Sequence, residues 1–158
     1  KGHLRRWRMN VVTGEKSEQQ IDDLNVEFCL PDMSLYGVKT RYSYHQLIPT
    51  DRQTHAFEGL VKYDHDKGTR EVYEYPAGWF PSEAPFAKST KGGDEDSGYA
   101  ITIATNAADW RSEAWIFDAK RITAGPLARV ALPGRVAAGF HASWFPGELL
   151  WGSRPAPV

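Results

Sequence analysis

Apolar and polar side chains alternate over short runs along most of this chain, and a sustained 3.6-residue apolar stripe is missing. Leu60-Val61-Lys62-Tyr63-Asp64 enters the turn His65-Asp66-Lys67-Gly68 and returns as residues 69–75, rich in β-branched and aromatic side chains. Residues 99–105 pair in the same manner with residues 113–118 across a polar loop. Residues 41–45 and 127–132 are further strand-like runs, the second leading into the turn Pro133-Gly134. One segment, Ser17 to Leu24, is a helix candidate, although it lacks a clear apolar face. The pattern predicts an all-β chain of antiparallel hairpins.

The hairpins are evenly placed. Asn10, Asp64 and Asp118 each close a strand and lie 54 residues apart. A turn containing glycine follows each of them, at Gly14, Gly68 and Gly125. Asn and Asp suit such places because their side-chain oxygens accept from backbone N–H groups two residues on. A period near 50 residues with short antiparallel strands is the signature of β-propeller blades. About three such periods fit in the chain, whereas closed propellers have at least about four blades. An open arc would leave sheet edges and apolar faces uncovered. The expectation is therefore a partial propeller: residues 1–158 as the C-terminal portion of one larger propeller domain.

Composition removes several classes of function. With 19 Lys and Arg against 20 Asp and Glu, the net charge of −1 gives no electrostatic reason to expect nucleic acid as a partner. Cys29 is the single cysteine, which excludes an internal disulfide and a thiolate metal cluster and fits a cytoplasmic location. No apolar run reaches the ~18 residues of a membrane span, and a Gly-rich phosphate loop, a His-Glu-x-x-His helix and a Gly-x-Ser-x-Gly elbow are all missing from the sequence.

The main candidate chemistry lies near the C-terminus. In Gly139-Phe140-His141-Ala142-Ser143-Trp144 a histidine sits among large apolar rings, and its imidazole is expected to point inward. By residue type alone, such a histidine is more often a satisfied core residue than a metal ligand. His45, His55 and His65, near Asp64 and Asp66, are expected to be solvent-exposed rather than ligating. The run Asp94-Glu95-Asp96-Ser97-Gly98 lacks calcium-loop spacing and is expected to be a solvated hairpin loop. Lys1, Arg5, Arg6 and Arg8 around Trp7 are read as a solvated strand face, with phosphate or lipid headgroups as the alternative.

Taken together, these segments resemble the C-terminal third of a carotenoid cleavage oxygenase, the family of apocarotenoid- and stilbene-cleaving dioxygenases and the retinal pigment epithelium isomerase. The resemblance runs from Leu4 to Trp151. It is carried by Leu4-Arg5-Arg6-Trp7 through Thr13-Gly14, by Val26-Glu27-Phe28 with Gly37 and Arg41-Tyr42-Ser43-Tyr44, and by Gly59 to Asp64. Ser82-Glu83-Ala84-Pro85-Phe86, the acidic loop 94–99, Arg111 to Ala119 and Gly139-Phe140-His141 follow in the family's order.

The resemblance implies a seven-bladed propeller with Fe(2+) on its axis, held by four histidines, with three glutamates accepting hydrogen bonds from the ligand imidazoles. His141 matches the last ligand, and Glu83 and Glu27 match two of the glutamates. By position Glu83 would serve His141, and Glu27 a histidine upstream. Without the resemblance, both carboxylates read as ordinary groups at a sheet edge. Neutral imidazoles suit ferrous iron, and a carboxylate on the far ring nitrogen fixes the tautomer and raises ligand basicity.

Several positions depart from the pattern: Cys29-Leu30 intervene before Pro31, Ala84-Pro85 reverses the usual order, Ala87-Lys88 stands in an apolar place, and Ala142 replaces a frequent Gly. These changes bear on local backbone geometry and substrate choice more than on metal binding. The implied activity is cleavage of a conjugated carbon–carbon double bond by O₂, on a hydrophobic polyene or stilbene held in an apolar tunnel. The remaining N-terminal blades would be partners, with possible peripheral membrane contact, and the chain alone would be inactive. The rival reading is a non-catalytic β-propeller interaction module.

Overall fold

A computed structural model describes residues 1–51, 56–137, 139 and 141–152. Among the described residues, eleven strands form three antiparallel sheets. β1 (Arg5–Met9) pairs with β2 (Lys16–Gln20) as a two-stranded hairpin. β3 (Val26–Leu30), β4 (Tyr42–Leu47), β5 (Gly59–Asp64) and β6 (Thr69–Glu74) make a four-stranded meander. In the third sheet, β9 (Gly98–Asn106), β10 (Ser112–Asp118) and β11 (Pro126–Ala131) follow one another. The first strand of that sheet is split: β7 (Trp79–Pro81) and β8 (Phe86–Lys88) pair with opposite ends of β9. The only α-helix among the described residues is α1 (Gly147–Trp151).

The four strands expected at 60–64, 69–75, 99–105 and 113–118 are present, displaced by a residue or so at their ends. The helix candidate Ser17 to Leu24 is corrected, because Lys16–Gln20 is strand β2. Its polar residues lie opposite Arg5–Met9, where cross-strand pairing satisfies the backbone without an apolar face. Arg5 reaches both Glu18 and Gln20 across the hairpin, so the basic start is a solvated strand face.

The evenly spaced side chains act alike. Asn10 accepts from the Val12 and Thr13 N–H groups, at 2.9 and 3.1 Å. Asp64 accepts from Asp66 and Lys67 (3.2 and 3.1 Å), and Asp118 from Lys120 (2.9 Å). Asp64 and Asp118 close the third strands of their meanders. By the same register, β1–β2 matches the third and fourth strands of a sheet. The third turn differs from the others. A 3-10 turn, Ile122–Ala124, precedes Gly125 and buries Ile122 in the core.

Between the two larger sheets, Tyr44, Leu60, Tyr75, Phe86, Trp115 and Phe117 form one apolar core. Tyr44 stacks on Phe86 with ring centroids 5.5 Å apart and donates to the Ala119 carbonyl at 3.0 Å, so one side chain joins both sheets.

The acidic loop is a clasp rather than a solvated hairpin tip, which corrects the expectation for residues 94–98. Asp94 pairs with Lys120 (2.9 Å), Glu95 accepts from the Arg41 and Tyr42 N–H groups (2.7 and 2.9 Å), and Asp96 pairs with Lys62 (2.7 Å). Asp96 and Lys62 are both buried, and the Lys62 ammonium also donates to the Lys120 carbonyl and lies 4.4 Å from the centre of the Tyr42 ring. Removing one member of a buried pair strands the other charge away from water.

His45 is buried, with 2% of its surface exposed, against the expectation of an exposed side chain. Its Nε2 lies 2.8 Å from Ser43 Oγ, which is also 2.8 Å from His65 Nε2, and its ring meets Tyr63 edge-on at 5.1 Å. The alternation that suggested exposure holds only if one sheet face meets water, whereas β4 is a central strand covered on both faces. Burial, and secondarily the nearby His65, depress the His45 pKa to about 3. His65 is half-buried, and its pKa is lowered mainly by burial. His55 lies outside the described residues.

Two predictions follow from these contacts. Asp96→Ala, which leaves Lys62 buried without its partner, should lower unfolding free energy by about 3–5 kcal/mol in urea titrations. Asp94→Ala, at the exposed end of the clasp, should leave the unfolding midpoint unchanged.

The second prediction concerns pH. Unfolded His45 takes a proton near its ordinary pKa of 6.5, but the folded ring resists protonation down to about 3. Its contribution to stability is therefore complete above pH ~6.5 and is lost as pH falls through this window. Unfolding free energy measured from pH 7 to 4 should decline, and His45→Gln should flatten that decline.

Candidate metal-ligand site

Glu83 sits where the first strand of the third sheet is interrupted. Ser82 causes the interruption by substituting its side chain for ladder partners. Its N–H donates to Ile103 O (2.9 Å), its Oγ accepts from Ile103 N–H (3.1 Å), and its carbonyl accepts from Thr102 Oγ1 (2.8 Å). The ladder resumes at Pro85, whose carbonyl accepts from Ile101 N–H at 3.2 Å. Between these anchors Glu83 leaves the strand line. Only 3% of Glu83 is exposed. A buried carboxylate needs donors, because lost hydration is otherwise uncompensated.

The C-terminal segment supplies them. After β11, Leu132 N–H donates to Ser112 O (2.9 Å), Val136 N–H donates to Ser112 Oγ (2.9 Å), and the Val136 carbonyl accepts from Thr105 Oγ1 (3.3 Å). Gly139 then passes close to Ser82, where an added Cβ would lie 3.8 Å from the Ser82 Cβ. At the end of this path His141 Nδ1 lies 2.9 Å from Glu83 Oε1, and Ala142 N–H donates to Glu83 Oε2 at 2.6 Å. With the carboxylate ionised, Nδ1 carries the proton, so the lone pair of the neutral ring is on Nε2.

The ring is not packed into the apolar core of the two larger sheets. Its side chain is 74% exposed. Phe28 meets it edge-on, with centroids 5.6 Å apart and planes at 70°. Phe140 lies outside the described residues.

Glu27 occupies the corresponding place in the preceding sheet. It is on the first strand, β3, beside an irregularity in the pairing with β4. Its carboxylate is exposed and lies against Gly2, where a Cβ would come within 2.5 Å of Oε1. It forms no hydrogen bond or ion pair with Glu83 or His141. The structure thus brings two of the three candidate residues together and leaves Glu27 separate.

Gln46 was not legible as part of this arrangement. It lies opposite Glu27 in the β3–β4 ladder and is buried. Its amide oxygen accepts from Ala84 N–H (3.1 Å), and its nitrogen donates to Gly59 O and to the Tyr75 hydroxyl (3.1 Å each). One side chain of the second sheet therefore props the segment that carries Glu83. A glutamine in an alternating strand carries no signal of that contact.

The donor chemistry suits a divalent transition metal: a neutral imidazole whose Nδ1–H is held by a carboxylate. It provides one ligand. Among the described residues, no group of three or more His, Cys, Asp or Glu side chains is placed to hold a metal.

Residues 1–146 match the family model described as retinal pigment epithelial membrane protein. The carotenoid 9,10(9',10')-cleavage dioxygenase 1 of Pisum sativum is 32% identical over 151 residues, which are 88% of this chain and 28% of that protein. The isoeugenol monooxygenase of Pseudomonas putida is 24% identical, over 89% of this chain and 32% of its own length. Among solved structures, cobalt-substituted apocarotenoid oxygenase of Synechocystis superposes with a TM-score of 0.82 at 25% identity, covering 91% of this chain and 30% of that one. The chain thus spans about 30% of the proteins it matches. Its antiparallel sheets are part of a β-propeller, and the chain belongs to the carotenoid cleavage oxygenase family, whose model carries the retinal pigment epithelial membrane protein description.

Proposed function

We propose that this chain is the C-terminal part of a non-haem iron(II) dioxygenase that splits a conjugated carbon–carbon double bond with O₂ to give two carbonyl products. The observation that carries the reading is the bond between the buried Glu83 carboxylate and His141 Nδ1, with Ala142 N–H on the second oxygen. His141 would offer Nε2 to iron, and Glu27 would accept from a ligand imidazole elsewhere in the protein. Ferrous iron, when bound, would supply the centre that binds and activates O₂.

The contributions of the chain itself are positional. Glu83 fixes the tautomer of His141, and by accepting its proton makes Nε2 a better donor. Ala142 N–H prevents the carboxylate from rotating away, since both oxygens are engaged. Phe28, packed against Phe57 at 5.3 Å, places an apolar ring beside the imidazole.

The substrates of the relatives favour a hydrophobic conjugated molecule: a carotenoid for the Pisum protein, and isoeugenol for the Pseudomonas one. An apocarotenoid or stilbene-like polyene is the proposed class. The other blades of the propeller would supply the remaining ligands and the substrate tunnel.

In the full-length protein, His141→Ala should abolish iron-dependent cleavage and reduce iron content in metal analysis. Glu83→Gln should weaken iron binding or activity by roughly 10–100-fold. A His141→Ala protein with undiminished iron and turnover would leave a non-catalytic propeller module as the better reading of this region.

The 158-residue chain alone should neither retain stoichiometric ferrous iron nor cleave an apocarotenal. Metal analysis and product chromatography of the purified chain check this outcome.

A further inference from the structure

Leaving β11, the segment that carries His141 passes Ser112 on β10, Thr105 on β9 and Ser82 before it meets Glu83. Glu83 takes up the His141 ring and the Ala142 N–H together, so it accepts one register of this segment. A slip of one residue moves an extended chain by about 3.3 Å, which breaks both bonds. Whatever else touches the ring, the register of its backbone is part of the site.

Thr105 and Ser112 are placed to set that register. They face each other across β9 and β10 and are buried, with 7% and 1% of their surface exposed. Thr105 Oγ1 donates to the Val136 carbonyl (3.3 Å), and the Val136 N–H donates to Ser112 Oγ (2.9 Å). The two hydroxyl oxygens are 2.8 Å apart. Each hydroxyl has one proton to give. That of Thr105 is committed to the carbonyl, so Ser112 donates to Thr105. A closed circuit then runs from the Val136 N–H through both hydroxyls to the Val136 carbonyl, and bonds in such a chain polarise one another. A slipped segment would leave both buried hydroxyls short of a partner, at a desolvation cost.

The turn beside this pair grips the preceding residue. Trp110 lies between β9 and β10 with φ +60°, a conformation that an aromatic residue keeps where its surroundings over-determine it. Its ring is half exposed, and the Arg135 guanidinium carbon lies 4.5 Å from the ring centre. One end of the β9–β10 hairpin thus holds Arg135 and Val136 by two unrelated contacts.

We infer that Thr105 and Ser112 are positioning residues, whose hydroxyl circuit fixes the register in which the C-terminal segment presents His141 to Glu83. The consequence for metal binding rests on the proposed role of His141 as a ligand. The register itself does not.

The experiment uses the full-length protein with Thr105→Val, Ser112→Ala, the double variant and Thr105→Ser. Valine matches threonine in shape and lacks the hydroxyl, whereas serine keeps it. In metal-free, ¹⁵N-histidine-labelled protein, the His141 Nδ1–H resonance is identified by its loss in His141→Ala. Cobalt(II) release to a chelator is timed in parallel, with melting temperature as the control for folding.

Thr105→Val and Ser112→Ala should each broaden the Nδ1–H resonance through faster exchange with water, and release cobalt about tenfold faster. The double variant should be no worse than either single one, because either change opens the circuit. Thr105→Ser should keep the wild-type resonance and release. A lower melting temperature with unchanged resonance and cobalt release would make the pair fold stabilisers alone and overturn the inference. Additive effects in the double variant would overturn the circuit. If one single variant fails to fold, the other decides. If the wild-type protein takes up no cobalt, the metal reading fails, and the Nδ1–H resonance alone decides the role of the pair.

Discussion

A carboxylate with 3% of its surface exposed must find donors inside the protein, and around Glu83 this requirement organises the site. The neighbouring strand β9 does not supply the donors, because Ser82 has taken over the bonds on that side. They come from His141 and Ala142, at the far end of a segment moored by Ser112 and Thr105. The carboxylate therefore serves two ends. It fastens the C-terminal segment across the third sheet, and it holds one imidazole in one tautomer. A glutamine in its place would keep the shape but lose an acceptor and the charge that favours Nδ1–H.

The two larger sheets reach this geometry through contacts that cross between them. Tyr44, Trp115 and Phe117 provide apolar burial, which has little direction of its own. Direction comes from polar contacts: Tyr44 to the Ala119 carbonyl, Gln46 to Ala84 N–H, and Glu95 and Asp96 of the clasp to Arg41, Tyr42 and Lys62. Gln46 matters most for the site, because it couples the position of the Glu83 segment to the second sheet. Glu27 and Glu83 lie on the first strands of successive sheets, each beside a break in the ladder. An unbroken strand would hold such a residue to strict alternation between faces, and a break frees it to turn.

The family and the geometry agree on which residues matter, although they bear on different questions. Family membership comes from similarity over residues 1–146 and would hold if Glu83 pointed elsewhere. The Glu83–His141 contact is a property of this chain, between residues 58 positions apart in sequence. The positive φ of Phe28 belongs to neither argument, since residue type and spacing carry no trace of it.

What the sequence determined by itself is local. Alternation gave the strands, because side chains two apart share a face, and Asn10, Asp64 and Asp118 announced the turns, because their oxygens reach N–H groups only two or three residues away. Where the local rule met a polar segment without alternation, at residues 17–24, it failed, since β2 is stabilised by its partner strand rather than by its own pattern. Resemblance named His141, Glu83 and Glu27 as candidates, but the tertiary structure decided that the first two meet while the third stands apart. It also decided that His45 is buried and that Glu95 and Asp96 grip the second sheet. Each of these outcomes depends on which faces of separate sheets are pressed together, and no stretch of a few residues contains that information.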